Sequence, residues 1–271
     1  MDIISGIILG AVQGLTEFLP ISSSGHLILV RSFLSLPSAD GLAFDAVLQL
    51  ATTFAVAIYF WRDLLELAHA LYRWIRRQPI NPTARAMLSA IAIGTVPAII
   101  LGLTLEELMD SVFRSTMIVV GTLLIGAALM YAAELYANRR PKSELTWRRG
   151  LIIGLFQCLA LVPGMSRSGS TISGGLFVGL SRAQAARFSF LLSLPILAGT
   201  GLKKLMDLGT SGSLNELGLG LLAGFIAAFV VGLAAIHFLI GFLQRHSLRA
   251  FVAYRVLLAA VVFWLLYLQI I

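Results

Sequence analysis

Cysteine, acidic residues and charge of any kind are scarce in this chain. Among 271 residues there is one cysteine, there are 13 Asp and Glu, and charged residues make up only 12%. A single cysteine excludes an internal disulfide or a cysteine metal cluster, and Cys158, set in an apolar run, reads as a small buried hydrophobe. Soluble domains carry about 25% charged residues, so half that share at this length excludes an ordinary soluble core. The start, Met1-Asp2-Ile3, has neither a basic n-region nor a small-residue cleavage site; a cleaved signal peptide is not expected. What is abundant is apolar: 58% of residues are hydrophobic and the mean hydropathy is +0.92. The net charge of +7 and a pI near 10.1 fit an excess of Lys and Arg in cytoplasmic loops better than a nucleic-acid partner.

Apolar stretches bounded by charges run over about 3–19, 44–60, 87–105, 115–135, 150–162, 186–202, 217–240 and 250–271. Several reach the ~20 residues that cross a hydrocarbon layer about 30 Å thick. The chain also repeats itself. A shift of 144 lays Gly6, Gly10, Gln13, Leu15, Ser22, Ser24 and Gly25 on Gly150, Gly154, Gln157, Leu159, Ser166, Ser168 and Gly169, and Phe44, Leu48 and Leu50 on Phe188, Leu192 and Leu194. With a shift of 130, Gly94, Ala98 and Gly102 meet Gly224, Ala228 and Gly232, the first half having the longer basic loop.

The opening stretch of each half is too short to span and ends in Pro, Ser and Gly, at Pro20 to Gly25 and at Pro163 to Gly169. Each reads as a re-entrant helix hairpin, and broken backbone at membrane depth must be buried in protein or line a wet cavity. The hairpins are therefore expected to meet inside the bundle. Three spans follow each hairpin, so the halves (about 1–137 and 148–271 of a single membrane domain, 1–271) are expected to be inverted. With the N-terminus outside, fourteen of the twenty basic residues fall inside: Arg62, Arg73, Arg76, Arg77, Arg85, Arg139, Arg140, Lys142, Arg148, Arg149, Arg182, Arg187, Arg245 and Arg249. Arg31, Arg114, Lys203 and Lys204 fall outside with Glu106, Glu107 and Asp110, and Arg167 and Arg255 lie at membrane depth. Both termini outside is the orientation this split favours.

Gln13 and Glu17 share a helix face. A membrane-embedded glutamate costs about 2.5–3.5 kcal/mol on insertion scales; it reads either as hydrogen-bonded cement or, with Gln13, as an oxygen pair for Mg²⁺ or Ca²⁺. Ser22, Ser23 and Ser24 beside the amides of a new helix suit phosphate, or simply cap that helix. His26 is a proton-transfer group or a core histidine. In the second loop Gly164 admits close approach of backbone, Arg167 brings a planar donor fork, and Ser166, Ser168 and Thr171 add hydroxyls. A structural ion pair of Arg167 with Glu17 is the bland alternative. Arg255 reads as a second phosphate contact, or as a partner of Asp45 or of carbonyls; Asp45 supports metal or caps its helix.

On these residues the chain resembles the bacterial undecaprenyl-diphosphate phosphatases of the bacitracin-resistance type. Their Glu/Gln-x-x-x-Glu motif is matched at Gln13 and Glu17, and their serine-rich turn ending in Gly-His at Ser22 to His26. Their Pro-Gly-x-Ser-Arg-Ser-x-x-Thr motif is matched at Pro163, Gly164, Ser166, Arg167, Ser168 and Thr171; Gln13 stands where many members have glutamate. The resemblance implies a hydrolase that converts undecaprenyl diphosphate to undecaprenyl phosphate with Mg²⁺ or Ca²⁺, in the cytoplasmic (inner) membrane of a bacterium. It further implies a site towards the periplasm, recycling of the lipid carrier for cell-wall synthesis, and bacitracin tolerance. The expected machinery is a metal on Glu17 and Gln13, phosphate contacts from Gly164, Ser22, Ser24, Ser166, Ser168 and Thr171, charge stabilisation by Arg167, and Ser23 as nucleophile with His26 as acid/base. Attack by water activated by His26 stays open, as does a homodimer. The rival expectation is a polyprenyl-phosphate flippase or anion-coupled transporter on the same inverted scaffold.

Overall fold

The computed structural model describes residues 2–34, 41–105, 116–139, 142–211 and 218–268. Every regular element among them is helical. The first half contains α1 (Ile3–Phe18), α2 (Ser23–Phe33), α3 (Gly41–Tyr59), α4 (Trp61–Ile75), α5 (Pro82–Thr104) and α6 (Thr116–Ala137). The second half contains α7 (Trp147–Cys158), a 3₁₀ turn (Leu159–Leu161), α8 (Arg167–Phe177), α9 (Arg182–Ser211), α10 (Gly218–Arg245) and α11 (Arg249–Tyr267). Glu106, Glu107, Asp110, Arg114 and Arg140, which entered the charge count, lie outside the described residues.

Among the described residues five helices are long and apolar enough to cross a membrane: Pro82–Thr104, Met117–Ala137, Arg182–Lys203, Gly218–Arg245 and Arg249–Tyr267. The sixth expected span, 44–60, forms most of α3, which bends by 77° into α4. The stretch after residue 60, expected as a basic loop, is largely helix. Its spacing explains why: Trp61, Leu65, Ala68, Tyr72 and Ile75 form one exposed apolar stripe, Leu67 and Ala70 are buried, and Arg62, Glu66, His69 and Arg73 lie between. α9 starts at Arg182, four residues before the apolar run, because Ser181 and Gln184 make a capping box: the Ser181 N–H donates to Gln184 Oε1 at 3.0 Å and the Gln184 N–H to Ser181 Oγ at 3.3 Å.

The four hairpin helices have 16, 11, 12 and 11 residues. At ~1.5 Å per residue none crosses about 30 Å alone. α1 packs along α10, and α7 along α5. In both pairs the backbones touch where glycine faces glycine: a Cβ on Gly10 would lie 2.1 Å from the Gly224 carbonyl oxygen, and one on Gly154 2.1 Å from that of Gly94. The two contacts map onto each other under the shifts of 144 and 130, so the repeat visible in sequence is a repeat of packing. α6 packs against α11, and α3 and α9 pack together beside the hairpins. Phe18, the last residue of α1, meets Phe190 of α9 edge-on at 5.5 Å and is completely buried, which seats the first hairpin tip in the core.

Two ion pairs and a backbone contact tie together loops and helix ends that are distant in sequence. Arg187 pairs with Asp63, and Ser143 N–H donates to the Gly179 carbonyl at 2.8 Å. Glu134, fully buried, accepts Arg182 Nε at 2.9 Å, Arg182 Nη2 at 2.5 Å and the Leu248 N–H at 2.8 Å. These contacts join the loops that the charge count assigned to the inside.

Candidate active site

Each hairpin turns at a serine with a left-handed backbone. Ser22 has φ 76° and Ser166 φ 69°, and they are 144 residues apart. Such a φ is uncommon outside glycine and is held where surrounding contacts over-determine it. Here the serine caps the helix that follows: Ser22 Oγ accepts the Gly25 N–H at 3.4 Å, and Ser166 Oγ accepts the Gly169 N–H at 3.2 Å. Both hydroxyls also sit by the serine two residues on, Ser24 at 3.2 Å and Ser168 at 3.3 Å.

The two tips meet, as expected. The Gly164 N–H donates to Ser24 Oγ at 3.3 Å, and Ser168 Oγ donates to the Leu19 carbonyl at 3.2 Å. Gly164 has φ +90°, and a Cβ there would lie 2.0 Å from Thr122 Oγ1; conformation and space both demand glycine. Thr122 Oγ1 donates to the Pro163 carbonyl at 2.6 Å. Arg255, with no exposed surface, donates from Nη2 to the Gly164 carbonyl at 2.8 Å and the Thr122 carbonyl at 3.2 Å, and from Nε to the Leu123 carbonyl at 3.2 Å. Of the readings open for Arg255, the carbonyl one describes the structure: it braces the second loop from behind. Asp45 pairs with Arg31 and not with Arg255.

Glu17 is the hub. Its Oε1 accepts Arg167 Nη2 at 2.9 Å, and its Oε2 accepts Gln13 Nε2 at 3.1 Å and Ser23 Oγ at 2.8 Å. The Arg167–Glu17 ion pair foreseen as the bland alternative is therefore present, with both side chains largely buried. It does not exhaust the arginine. Arg167 Nε and Nη1 are buried and have no hydrogen-bond partner, and an unmet charged donor in such a place is costly unless something else satisfies it. Arg167 and Glu17 line a cavity of about 270 Å³ together with Ser22, Ser23, Ser24 and Ser166.

Five expected contributors lie apart from that cavity lining: Gln13, which bonds to Glu17, Gly164, which bonds to Ser24, and His26, Thr171 and Ser168. His26 bonds from Nδ1 to the Ser22 carbonyl at 2.7 Å and from Nε2 to the Tyr254 hydroxyl at 2.7 Å, its ring stacked on Tyr254. A carbonyl only accepts, so Nδ1 carries a proton. Ser23 thus bonds to Glu17, and both ring nitrogens of its expected partner are engaged elsewhere. Thr171 is fully buried; its hydroxyl is 2.7 Å from the Arg167 carbonyl, to which it donates, and 2.5 Å from Ser189 Oγ. Ser168, also fully buried, is spent on the first loop. Where phosphate contacts were expected, Ser168 ties the second tip to the first and Thr171 ties α8 to α9.

Sequence reasoning did not single out Gln49, Gln157, Ser193 and Thr200, which also line the cavity. The signal was present in the repeat, since the shift of 144 lays Gln13 on Gln157 and Gln49 on Ser193. Among the described residues no group of three or more His, Cys, Asp or Glu could hold a metal ion by itself.

The family model described as bacitracin resistance protein BacA matches residues 6–261. A curated relative from Moorella thermoacetica, named undecaprenyl-diphosphatase, is 43% identical over 269 residues, covering 98% of this chain and 99% of its own. Relatives of the same name from Geotalea daltonii and Chloroherpeton thalassium are 45% and 43% identical, covering 94% and 95% of this chain and 95% and 94% of their own.

Proposed function

The chain belongs to the family of bacitracin resistance protein BacA, and from that premise we propose how its hairpin tips carry out a phosphatase reaction. The protein is a multi-pass membrane hydrolase that converts undecaprenyl diphosphate to undecaprenyl phosphate and inorganic phosphate. That reaction returns the lipid carrier to cell-wall synthesis. The observation that carries the mechanism is the shared acceptor: Glu17 holds Ser23, Gln13 and Arg167 together while two buried donors of Arg167 stay unpartnered.

The terminal phosphate sits on Arg167 Nε and Nη1, between the N-terminal turns of α2 and α8, whose first amides lack intrahelical acceptors. Preorganised donors of this kind stabilise the charge that spreads over the phosphoryl oxygens in the transition state. Ser23 Oγ attacks the terminal phosphorus and its proton passes to Glu17 Oε2, 2.8 Å away. The bond from phosphorus to the bridging oxygen breaks, and the Glu17 proton follows the departing undecaprenyl phosphate. Water then attacks the phosphoserine. Glu17 takes one water proton and returns it to Ser23 Oγ as inorganic phosphate leaves. His26, through its bond to the Ser22 carbonyl, holds the strained turn that aims Ser23.

A divalent cation, Mg²⁺ or Ca²⁺, fits this donor set. One carboxylate with neutral oxygens beside a diphosphate is the ligand class such hard ions take. Glu17 and Gln13 would hold it, and when bound it would neutralise diphosphate charge.

The membrane is the bacterial cytoplasmic membrane, with both termini and the cavity mouth on the periplasmic side. The charge split supports this, as do the contacts that join the loops assigned to the inside. Cysteines at Arg76 and Lys142 are expected to resist an impermeant thiol reagent in intact cells; labelling at 142 without permeabilisation overturns the orientation. The mechanism is tested by phosphate release from undecaprenyl diphosphate by the purified protein, with and without EDTA, and in the Ser23→Ala variant. Loss of release in both EDTA and Ser23→Ala is expected. Near-normal release by a folded Ser23→Ala variant would replace the phosphoserine route with direct attack by water.

A further inference from the structure

Gln157 presents a physical problem that the mechanism leaves unsolved. It is 4% exposed, and neither its amide nitrogen nor its amide oxygen has a hydrogen-bond partner, although both atoms are buried. A buried amide without partners is destabilising, and few buried polar groups in native structures are left so. Gln157 lines the cavity with Glu17 and Arg167.

The internal repeat explains why this amide is left over. Gln13, its counterpart, spends its N–H on Glu17, four residues on and one turn along the helix. The position four residues after Gln157 is Leu161, which also lines the cavity. The same scaffold thus carries an amide beside a carboxylate in the first half and an amide beside a leucine in the second. The cavity lining is mixed as a result. Glu17 and Arg167 make part of its lining ionic, Leu161 makes part of it apolar, and Gln157 belongs to the same lining.

A prenyl diphosphate is mixed in the same way, with a terminal phosphate, a proximal phosphate and then hydrocarbon. We infer that Gln157 binds the proximal phosphate, the one that stays on the lipid, by donating its amide N–H to a non-bridging oxygen. A neutral donor suits this place. It orients the phosphate without opposing departure of the monophosphate as a second arginine would. Gln157 is then a specificity-determining contact of substrate and product alike. The inference rests on the site assigned above, with Arg167 on the terminal phosphate.

The test measures steady-state hydrolysis of undecaprenyl diphosphate, inhibition by undecaprenyl phosphate and inhibition by inorganic phosphate. The variants are Gln157→Leu, Gln157→Glu and Arg167→Lys, each checked for thermal stability. Removing a hydrogen bond to a charged group costs about tenfold or more in binding. Gln157→Leu is expected to raise KM and the inhibition constant of undecaprenyl phosphate together by about that factor. The inhibition constant of inorganic phosphate should not change, and the variant should be at least as stable as the parent because an orphaned amide has gone. Gln157→Glu, bringing like charge to the phosphate, is expected to be worse and not to recover with added Mg²⁺. Unchanged inhibition by undecaprenyl phosphate in a folded Gln157→Leu variant overturns the inference. So does a Gln157→Glu variant that stays active at lower Mg²⁺, which would make the residue a metal ligand. If Arg167→Lys also turns over normally, the whole site assignment fails; if Arg167→Lys loses activity and Gln157→Leu does not, only the role of Gln157 fails.

Discussion

The two hairpin tips have nearly the same backbone and very different chemistry. Ser22 and Ser166 take the same left-handed turn, cap the same position of the next helix and touch the same following serine. One residue further on, the first tip carries Ser23 and the second Arg167; one turn after the paired glutamines, the first half carries Glu17 and the second Leu161. The duplicated frame supplies two helix N-termini facing one cavity, which a phosphate can use in common. The side chains that differ supply an acceptor and nucleophile on one side and a cation on the other. A symmetric copy of either tip would repeat one charge and lack the other.

The largest effect should come from the pair that diverged most. Glu17→Gln keeps an oxygen for Arg167 and Ser23 but removes the proton acceptor, so phosphate release is expected to fall by about 10³-fold, within the range for positioned acid/base groups. Leu161→Ala, at the matching place, should leave release within severalfold. Stopped-flow or endpoint phosphate assays on both variants make the comparison; equal effects would show that the halves share the chemistry.

Next in size is the contrast of two buried arginines. Arg167→Lys keeps charge but loses the fork, and a loss of about 100-fold in turnover is expected, the scale of one transition-state donor. Arg255→Met touches only carbonyls. It should lower stability by about 1–3 kcal/mol for the acceptors left unmet while the folded fraction turns over at near the parent rate. Parent-like turnover in Arg167→Lys would reduce that residue to its ion pair.

A smaller effect separates frame from chemistry. Gly10→Val and Gly154→Val each drive a side chain into facing backbone 2.1 Å from the new Cβ. Overpacking costs typically about 1–3 kcal/mol, and more where backbone must move. Both variants should melt earlier by similar amounts, since the contacts are repeats of each other. A large difference in melting temperature between them would break the equivalence of the two helix pairs.

The smallest expected change is at the turns. Ser22→Gly and Ser166→Gly lose the capping oxygen, worth a few tenths of a kcal/mol against glycine. They also release a left-handed backbone that costs about 1–3 kcal/mol in a non-glycine residue. Stability should hold or rise slightly in both. Activity should fall more in Ser22→Gly, because a looser turn misaims Ser23, and a larger activity loss in Ser166→Gly would reverse the roles assigned to the tips.

By itself the amino-acid sequence determined the membrane class, the internal repeat of residues and the charged and hydroxyl part of the cavity lining, Glu17, Ser22, Ser23, Ser24, Ser166 and Arg167. Hydropathy, glycine spacing and loop composition act locally or at a constant offset, so they can be read along the chain. Gln13 and Glu17 could be paired for the same reason, being one helical turn apart. The helix α4 was hidden because polar residues, Arg62, Glu66, His69 and Arg73, alternate with its apolar stripe. Only the tertiary structure decided which groups are spent and which are left. Ser23 and His26 are three residues apart in sequence, yet Ser23 bonds to Glu17 and His26 to Tyr254 on α11, 228 positions away. Thr171 and Ser168 belong to a donor-rich segment, but burial commits their hydroxyls to protein, Ser168 at the tip contact and Thr171 against Ser189 of α9. That Gln157 and the Nε and Nη1 of Arg167 are buried without hydrogen-bond partners is likewise a property of the tertiary structure. A hydrogen bond across the bundle depends on where two backbones cross, and that crossing is set by glycine contacts between residues far apart in sequence, such as Gly94 with Gly154 and Gly10 with Gly224.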